Sequence, residues 1–226
     1  MARSVVVTGG FGVLGHAVAA HFAQAGDKVA RIDFADSAAV PLGGALDVGG
    51  VDLTDAAATR AALDTVAQAH GGIDVLVNVA GGFTWETLEG GSLTSWARMQ
   101  AMNLTTAATI TQLALPALKA SAAGRIVSIG AGAAIKAAAG MGAYAASKSG
   151  VHRLTEALAE ELAGTSVTVN AVLPSIIDTP TNRKDMPDAD TSQWVQPGAI
   201  ADVIGFLASP AASAVTGALI PVTRGA

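Results

Sequence analysis

Ser4-Val5-Val6-Val7-Thr8-Gly9-Gly10-Phe11-Gly12-Val13-Leu14-Gly15 decides the fold of this 226-residue chain. The β-branched run Ser4–Thr8 reads as a short strand covered on both faces. It gives way at once to glycines and then to a helical stretch over about 12–24. Glycines at such a junction permit a tight turn and let a pyrophosphate approach the backbone amides at the start of the helix. Thr8, Gly9, Gly12, Leu14 and Gly15 are therefore candidate cofactor contacts. Asp33 closes the next strand, Lys28–Ile32, 18 residues after Gly15. A carboxylate there accepts hydrogen bonds from both ribose hydroxyls and repels a 2′-phosphate. Phe34 and Ala35 bring no compensating cation, so NAD(H) is expected over NADP(H). Phe11, inside the loop, either braces the turn or covers the nicotinamide.

Outward from this unit the pattern repeats. Strand candidates lie at 45–51, 74–78, Arg125–Ile129, 168–173 and 218–222. Helical stretches lie at about 55–70, 95–120, 144–163 and 197–208, with Thr54 a plausible cap for the first. Such alternation implies right-handed crossovers and a parallel sheet with helices on both faces. The expected architecture is a doubly wound, Rossmann-type α/β sheet in one domain over residues 1–226. The segment 175–196, rich in Pro, Asp and Thr, has no clear periodicity and is expected to be a substrate lid.

Composition narrows the function. Hydrophobic residues make up 51% and charged residues 14%, which excludes a disordered chain. A net charge of −5 offers no footprint for nucleic acid or anionic lipid. With no cysteine there is no disulfide and no thiolate chemistry. That usage and the lack of a leader pattern point to a cytoplasmic protein. Two uncharged runs, 99–118 and 203–223, approach membrane-spanning length. The first is interrupted by Gln100, Asn103, Thr105 and Gln112, and the second by Pro210, Gly217 and Pro221, so neither is read as a span.

The second chemical signal is Tyr144-Ala145-Ala146-Ser147-Lys148. A spacing of four places phenol and ammonium on one helix face, and a nearby cation favours phenolate, lowering the Tyr pKa toward use as an acid or base. His16, His21, His70 and His152 form no ligand-like cluster and read as solvated helix positions, so no metal is expected. Trp85 and Trp96 read as packing residues.

Taken together, the glycine loop, Asn78-Val79-Ala80-Gly81, Asn103, the Tyr144/Lys148 pair and Pro174…Thr179 resemble the short-chain dehydrogenase/reductase family over nearly the whole chain. The resemblance implies sheet order 3-2-1-4-5-6-7 and a homodimer or homotetramer assembled through the long helices. It implies Tyr144 as general acid/base, Lys148 on the nicotinamide ribose, and Asn103 supporting a proton-relay water. It places Asp52 at the adenine, Asn78, Ala80 and Gly81 along the cofactor edge, Pro174 among the cofactor contacts, and Ile176 with Thr179 at the carboxamide.

The departures matter as much. The family's catalytic serine falls 13 residues before the tyrosine, where this chain has Ala131. Losing a hydroxyl that bonds the substrate carbonyl weakens alkoxide stabilisation by about 1–3 kcal/mol. Ser128, three residues earlier on a strand, points the other way. The family's usual Pro-Gly is Pro174-Ser175.

One branch, quinonoid dihydropteridine reductase, is similar in carrying alanine at the serine position, in Gly140-Met141, and in the string from Asp178-Thr179-Pro180 through Asn182-Arg183-Lys184, Met186-Pro187 and Ala189-Asp190 to Trp194. It differs in having tryptophan where this chain has Phe83 and in lacking Asn103. The expected substrate contacts are thus Phe83, Ala131, Met186 and Trp194. The leading expectation is hydride transfer from NADH to a quinonoid dihydropterin or similar conjugated acceptor. A carbonyl/alcohol oxidoreductase of the same family is the alternative, and a non-catalytic NAD-binding sensor or scaffold the third reading.

Overall fold

In a computed structural model that describes residues 2–224, seven parallel strands form one sheet in the order β3-β2-β1-β4-β5-β6-β7. They are β1 (Ser4–Thr8), β2 (Lys28–Ile32), β3 (Leu46–Val48), β4 (Val75–Asn78), β5 (Arg125–Ile129), β6 (Thr168–Pro174) and β7 (Leu219–Val222). The helices are α1 (Val13–Gln24), α2 (Ala56–His70), α3 (Leu93–Met99), α4 (Thr106–Ala120), α5 (Gly142–Glu161), α6 (Pro180–Asp185) and α7 (Pro197–Leu207). This is the doubly wound α/β architecture expected of the strand and helix alternation. Strand order reverses between β1 and β4, which opens a crevice at their carboxyl ends.

Pleating explains why the strands read as unbroken apolar runs. Val5 and Val7 of β1, with Val75 and Val77 of β4, face one layer, where Val18, Ala19 and Phe22 of α1 meet Ile200, Ala201 and Ile204 of α7. Val6 and Leu76 face the other, with Leu63 and Val66 of α2, Ile110, Ala114 and Leu118 of α4, and Leu158 of α5. Both layers are buried, so the central strands are largely apolar, and Asn78 and Ser128, polar residues on neighbouring strands, bond to each other.

The boundaries differ from the sequence reading in instructive places. Asp55, not Thr54, caps α2; its Oδ1 accepts from the amides of Ala57 and Ala58 at 2.7 and 3.3 Å. The long helix expected over 95–120 is split by a π-helical turn, Gln100–Thr105. The segment 175–196 is not irregular throughout. It holds α6 and a 3₁₀ turn, and a parallel bridge between Ile177 and Val195 closes its base. The 203–223 run resolves into helix, loop and strand, as expected. Among the described residues no helix is long and apolar enough to cross a membrane.

Candidate active site

The switch-point crevice is stitched at its floor by Thr8. This residue is 1% exposed, and its Oγ1 accepts from the amides of Val79 and Ala80 at 3.1 Å each. Gly9 turns the chain in the left-handed region at φ +61°, against Ala80, where a Cβ would lie 2.9 Å from the Ala80 Cα. Gly15 packs so closely under Gly9 that a Cβ would collide with the Gly9 carbonyl. Gly12 is the N-cap of α1 and carries no side-chain cap, so the first amides of α1 have no side-chain acceptor. Leu14 is half-buried at the same turn. A glycine cradle below uncapped helix amides fits a pyrophosphate.

Asp33 holds this loop as well as facing it. Its carboxylate accepts from the amides of Phe11 at 2.9 Å and Ala35 at 3.0 Å. The Phe11 ring packs against the Arg31 guanidinium, whose Cζ lies 5.3 Å from the ring centroid. Arg31 itself is fully buried, paired through two 2.7 Å bonds to Asp47 and 3.2 Å from His16 Nδ1. No sequence signal had marked the Arg31–Asp47 pair.

Across the crevice, Asn103 sits on the π turn at 1% exposure. Its Oδ1 accepts from the Gly82 amide at 2.9 Å, and its Nδ2 donates to the Gly82 carbonyl at 3.1 Å and to Ser147 Oγ at 3.0 Å. Ser147 in turn donates to the Tyr144 carbonyl at 2.7 Å. A Cβ on Gly81 would lie 2.5 Å from Asn103 Oδ1 and 3.4 Å from Lys148 Nζ. The two polar heads thus converge on the loop after β4, and Tyr144, Lys148, Asn103 and Gly81 are brought together.

Tyr144 and Lys148 depart from the expected electrostatics. Lys148 is 5% exposed, and its Nζ donates to the Ile129 carbonyl at 2.7 Å. Burial without a carboxylate partner pulls its pKa down to about 8. The Tyr144 phenol, with the Phe83 ring edge-on at 4.9 Å, is pushed up to about 12 by burial. The anticipated lowering of the phenol pKa is therefore absent from the chain alone, because desolvation of the phenolate outweighs an ammonium committed to Ile129.

Other predicted positions fall as follows. Ala131 is 4% exposed on extended backbone at the exit of β5, and Ser128 is turned away, accepting from Asn78 Nδ2 at 3.3 Å. Asn78 also donates to Thr111 Oγ1 at 3.0 Å, so its side chain serves the sheet face beneath the crevice. Asp52 is exposed and holds the Thr54 hydroxyl and amide, which lower its pKa. Pro174 ends β6, Ile176 is exposed, and Thr179 caps α6 through Asn182. Phe83 is 54% exposed, Met186 half-buried and Trp194 4% exposed.

Of the four histidines only His152 is fully buried, while the other three are partly exposed and each has a side-chain partner. Besides His16, His70 Nδ1 is 3.0 Å from Ser4 Oγ, His21 pairs with Asp202, and His152 is 2% exposed against Ala131. No group of three potential metal ligands occurs among the described residues. Trp85 and Trp96 are surface residues lying against Gly140 and Gly142.

Residues 3–190 match the short chain dehydrogenase family. The chain belongs to that family. As a short-chain dehydrogenase it is an oxidoreductase that works with a nicotinamide nucleotide. It is 34% identical to a D-threitol dehydrogenase of Mycolicibacterium smegmatis, an alignment covering 99% of this chain and 92% of that protein. It is 30% identical to a 3-oxoacyl-(acyl-carrier-protein) reductase of Vibrio cholerae, covering 99% and 96%. Among solved structures, aldohexose dehydrogenase of Thermoplasma acidophilum superposes with TM-score 0.89 at 28% identity, covering 99% of this chain and 93% of that one. A 3-ketoacyl-(acyl-carrier-protein) reductase from Brucella melitensis, complexed with NADH, superposes at 0.88 with 25% identity, covering 99% and 97%.

Proposed function

We propose that this short-chain dehydrogenase reduces a carbonyl-bearing small molecule with NADH, and that its best acceptors are conjugated ones. The observation that carries this reading is the buried methyl group of Ala131. The family's hydroxyl belongs there, and the two nearest serines along the chain elements of the site, Ser128 and Ser147, are already engaged with Asn78 and Asn103. Tyr144 is then the only side-chain hydroxyl assigned to the reacting atom. An acceptor whose developing charge spreads over a conjugated system needs a second donor least. The alcohol- and ketone-acting relatives support the carbonyl half of the proposal.

The glycine cradle would hold the pyrophosphate of a nicotinamide nucleotide, which when bound would supply the hydride. The chain's own groups do the rest. Burial keeps the Tyr144 phenol protonated throughout the neutral range, the form a reductase uses to deliver a proton at Oη. Asn103 ties the loop at Gly82 to Ser147 of α5, and Lys148 ties α5 to the exit of β5 at Ile129, which together fix the phenol relative to the crevice. Asp33 receives the adenosine ribose, and the only arginine on β2, Arg31, is buried against Asp47 and so withheld from a 2′-phosphate, which favours NAD(H) over NADP(H). Asp52 stands at the adenine, Ile176 and Thr179 at the carboxamide, and segment 175–196 covers the substrate, with Met186 and Trp194 on the lid and Phe83 opposite. Assembly through α4 and α5 into a homodimer or homotetramer, and a cytoplasmic location, complete the reading.

A quinonoid dihydropterin is the second reading, supported by Ala131 together with the lid string around Asn182-Arg183-Lys184. NADH oxidation measured against quinonoid dihydrobiopterin, a quinone, an enone and a saturated ketone separates the two. Preference for the enone or quinone supports the first. Turnover of the pterin alone transfers the assignment to the second. A saturated ketone reduced fastest removes the role given to Ala131.

A further inference from the structure

His152 stands one helical turn after Lys148 and two after Tyr144 on the same face of α5, yet nothing in the proposed chemistry uses it. It is 2% exposed, and its Nε2 lies 3.3 Å from the amide nitrogen of Ala131, which donates to it. Lys148 Nζ meanwhile donates to the carbonyl of Ile129 at 2.7 Å. Two successive inward side chains of α5 therefore grip the backbone on either side of Gly130, one through an acceptor and one through a donor. Gly130 leaves the room required: a Cβ there would lie 2.5 Å from His152 Nε2. The gripped peptide carries Ala131, the residue lining the reacting end of the crevice.

We propose that His152 is a positioning residue, whose neutral Nδ1–H tautomer fixes the Ala131 turn against the substrate pocket. This rests on the placement of the pocket at Ala131 and Tyr144, and it adds a residue that acts only through backbone. An imidazole accepting at Nε2 must carry its proton on Nδ1. Protonation at Nε2 sets N–H against N–H and places a second cation one turn from Lys148, so the Ala131 side of the grip opens in acid. The charged groups facing the ring are Arg153, Glu156 and Lys148, all on α5; Gly130 and Ala131, just past β5, and Leu173 from β6 are uncharged. Burial first, then Arg153 and Lys148, hold its pKa below the ordinary imidazole value, so the grip is closed at neutral pH.

The test has one arm without catalysis and one with it. In ¹⁵N-labelled protein, the Nδ1–H tautomer and an Ala131 amide resonance that moves with His152 on acidification are expected, and the movement vanishes in His152→Gln, whose amide oxygen still accepts but does not titrate. In the second arm, wild-type kcat for whichever acceptor of the panel is reduced falls at least fivefold through the His152 titration, while His152→Gln holds its kcat and loses that acid limb. An Nε2–H tautomer, an Ala131 amide indifferent to His152, or a His152→Gln enzyme with the wild-type acid limb each overturns the proposal. If no acceptor in the panel turns over, the function reading fails while the spectroscopic arm still decides the role of His152. If His152→Gln does not fold, the wild-type tautomer and titration decide alone.

Discussion

Replacing Lys148 by methionine isolates the stability cost of one buried charge. The amine sits at 5% exposure with a single carbonyl partner, and its pKa falls from 10.5 to about 8. At about 1.4 kcal/mol per pH unit, holding the ammonium inside opposes folding by about 3 kcal/mol. The folded value is the lower one, so the penalty is complete below pH 8. It shrinks as the folded amine sheds its proton first, and disappears above 10.5. Between pH 7.5 and 9.5 Lys148 should thus return about 2 kcal/mol of stability. Tyr144 acts in the opposite sense, since its pKa is raised from 10.0 to about 12, and its stabilising contribution is lost only as pH climbs past 10. Methionine fills similar space and has no titration, but it orphans the Ile129 carbonyl at about 1–3 kcal/mol, an offset independent of pH. Urea unfolding of both proteins at the two pH values is the assay. Lys148→Met should gain about 2 kcal/mol relative to wild type at pH 7.5 compared with its standing at pH 9.5. A difference between the two proteins that stays constant across the window refutes the assignment of a desolvated ammonium without a carboxylate partner.

Tyr144→Phe should lower kcat about 10²–10⁴-fold while NADH binding, followed by nicotinamide fluorescence, is retained. Ala131→Ser should raise kcat/KM for a saturated ketone about 5- to 150-fold, the equivalent of about 1–3 kcal/mol, with little gain on an enone; steady-state kinetics with both substrates decides. Asp33→Asn keeps an acceptor for the Phe11 amide but removes the charge, so the NADH:NADPH ratio of kcat/KM should fall at least tenfold. Gly81→Ala drives a methyl into Asn103 Oδ1 and toward Lys148 Nζ; activity should fall further than thermal stability does, as scanning calorimetry beside a rate assay would show.

The fold was legible because β1, β4 and β6 are buried on both faces and so carry apolar runs that end in glycine or proline. The glycine loop was legible for the same local reason: turn geometry and helix amides are determined by neighbours in sequence. What escaped notice was non-local. Arg31 reads as a surface residue until Asp47 on the neighbouring strand is placed beside it. His152 reads as solvated until the exit of β5 is laid against α5, although its spacing from Tyr144 and Lys148 was a usable sign. The Tyr144 pKa was misjudged because helical spacing reveals which charges are neighbours but says nothing of how much water each has lost. The segment 175–196 was misread as irregular because its closure depends on Ile177 meeting Val195, a pairing across 18 residues.

The π turn at Gln100–Thr105 makes this site sensitive to chain length as well as to side-chain identity. A π turn accommodates a residue beyond what regular α geometry needs. Deleting one residue from it would let the turn close into regular α geometry with the flanking segments still in register, so the loss falls on the turn itself and on Asn103, which it carries. Ile110, Ala114 and Leu118 would keep their seats in the core, but the anchorage of Gly82 would be aimed elsewhere. A frame-preserving loss of one codon here should leave a folded protein with little activity.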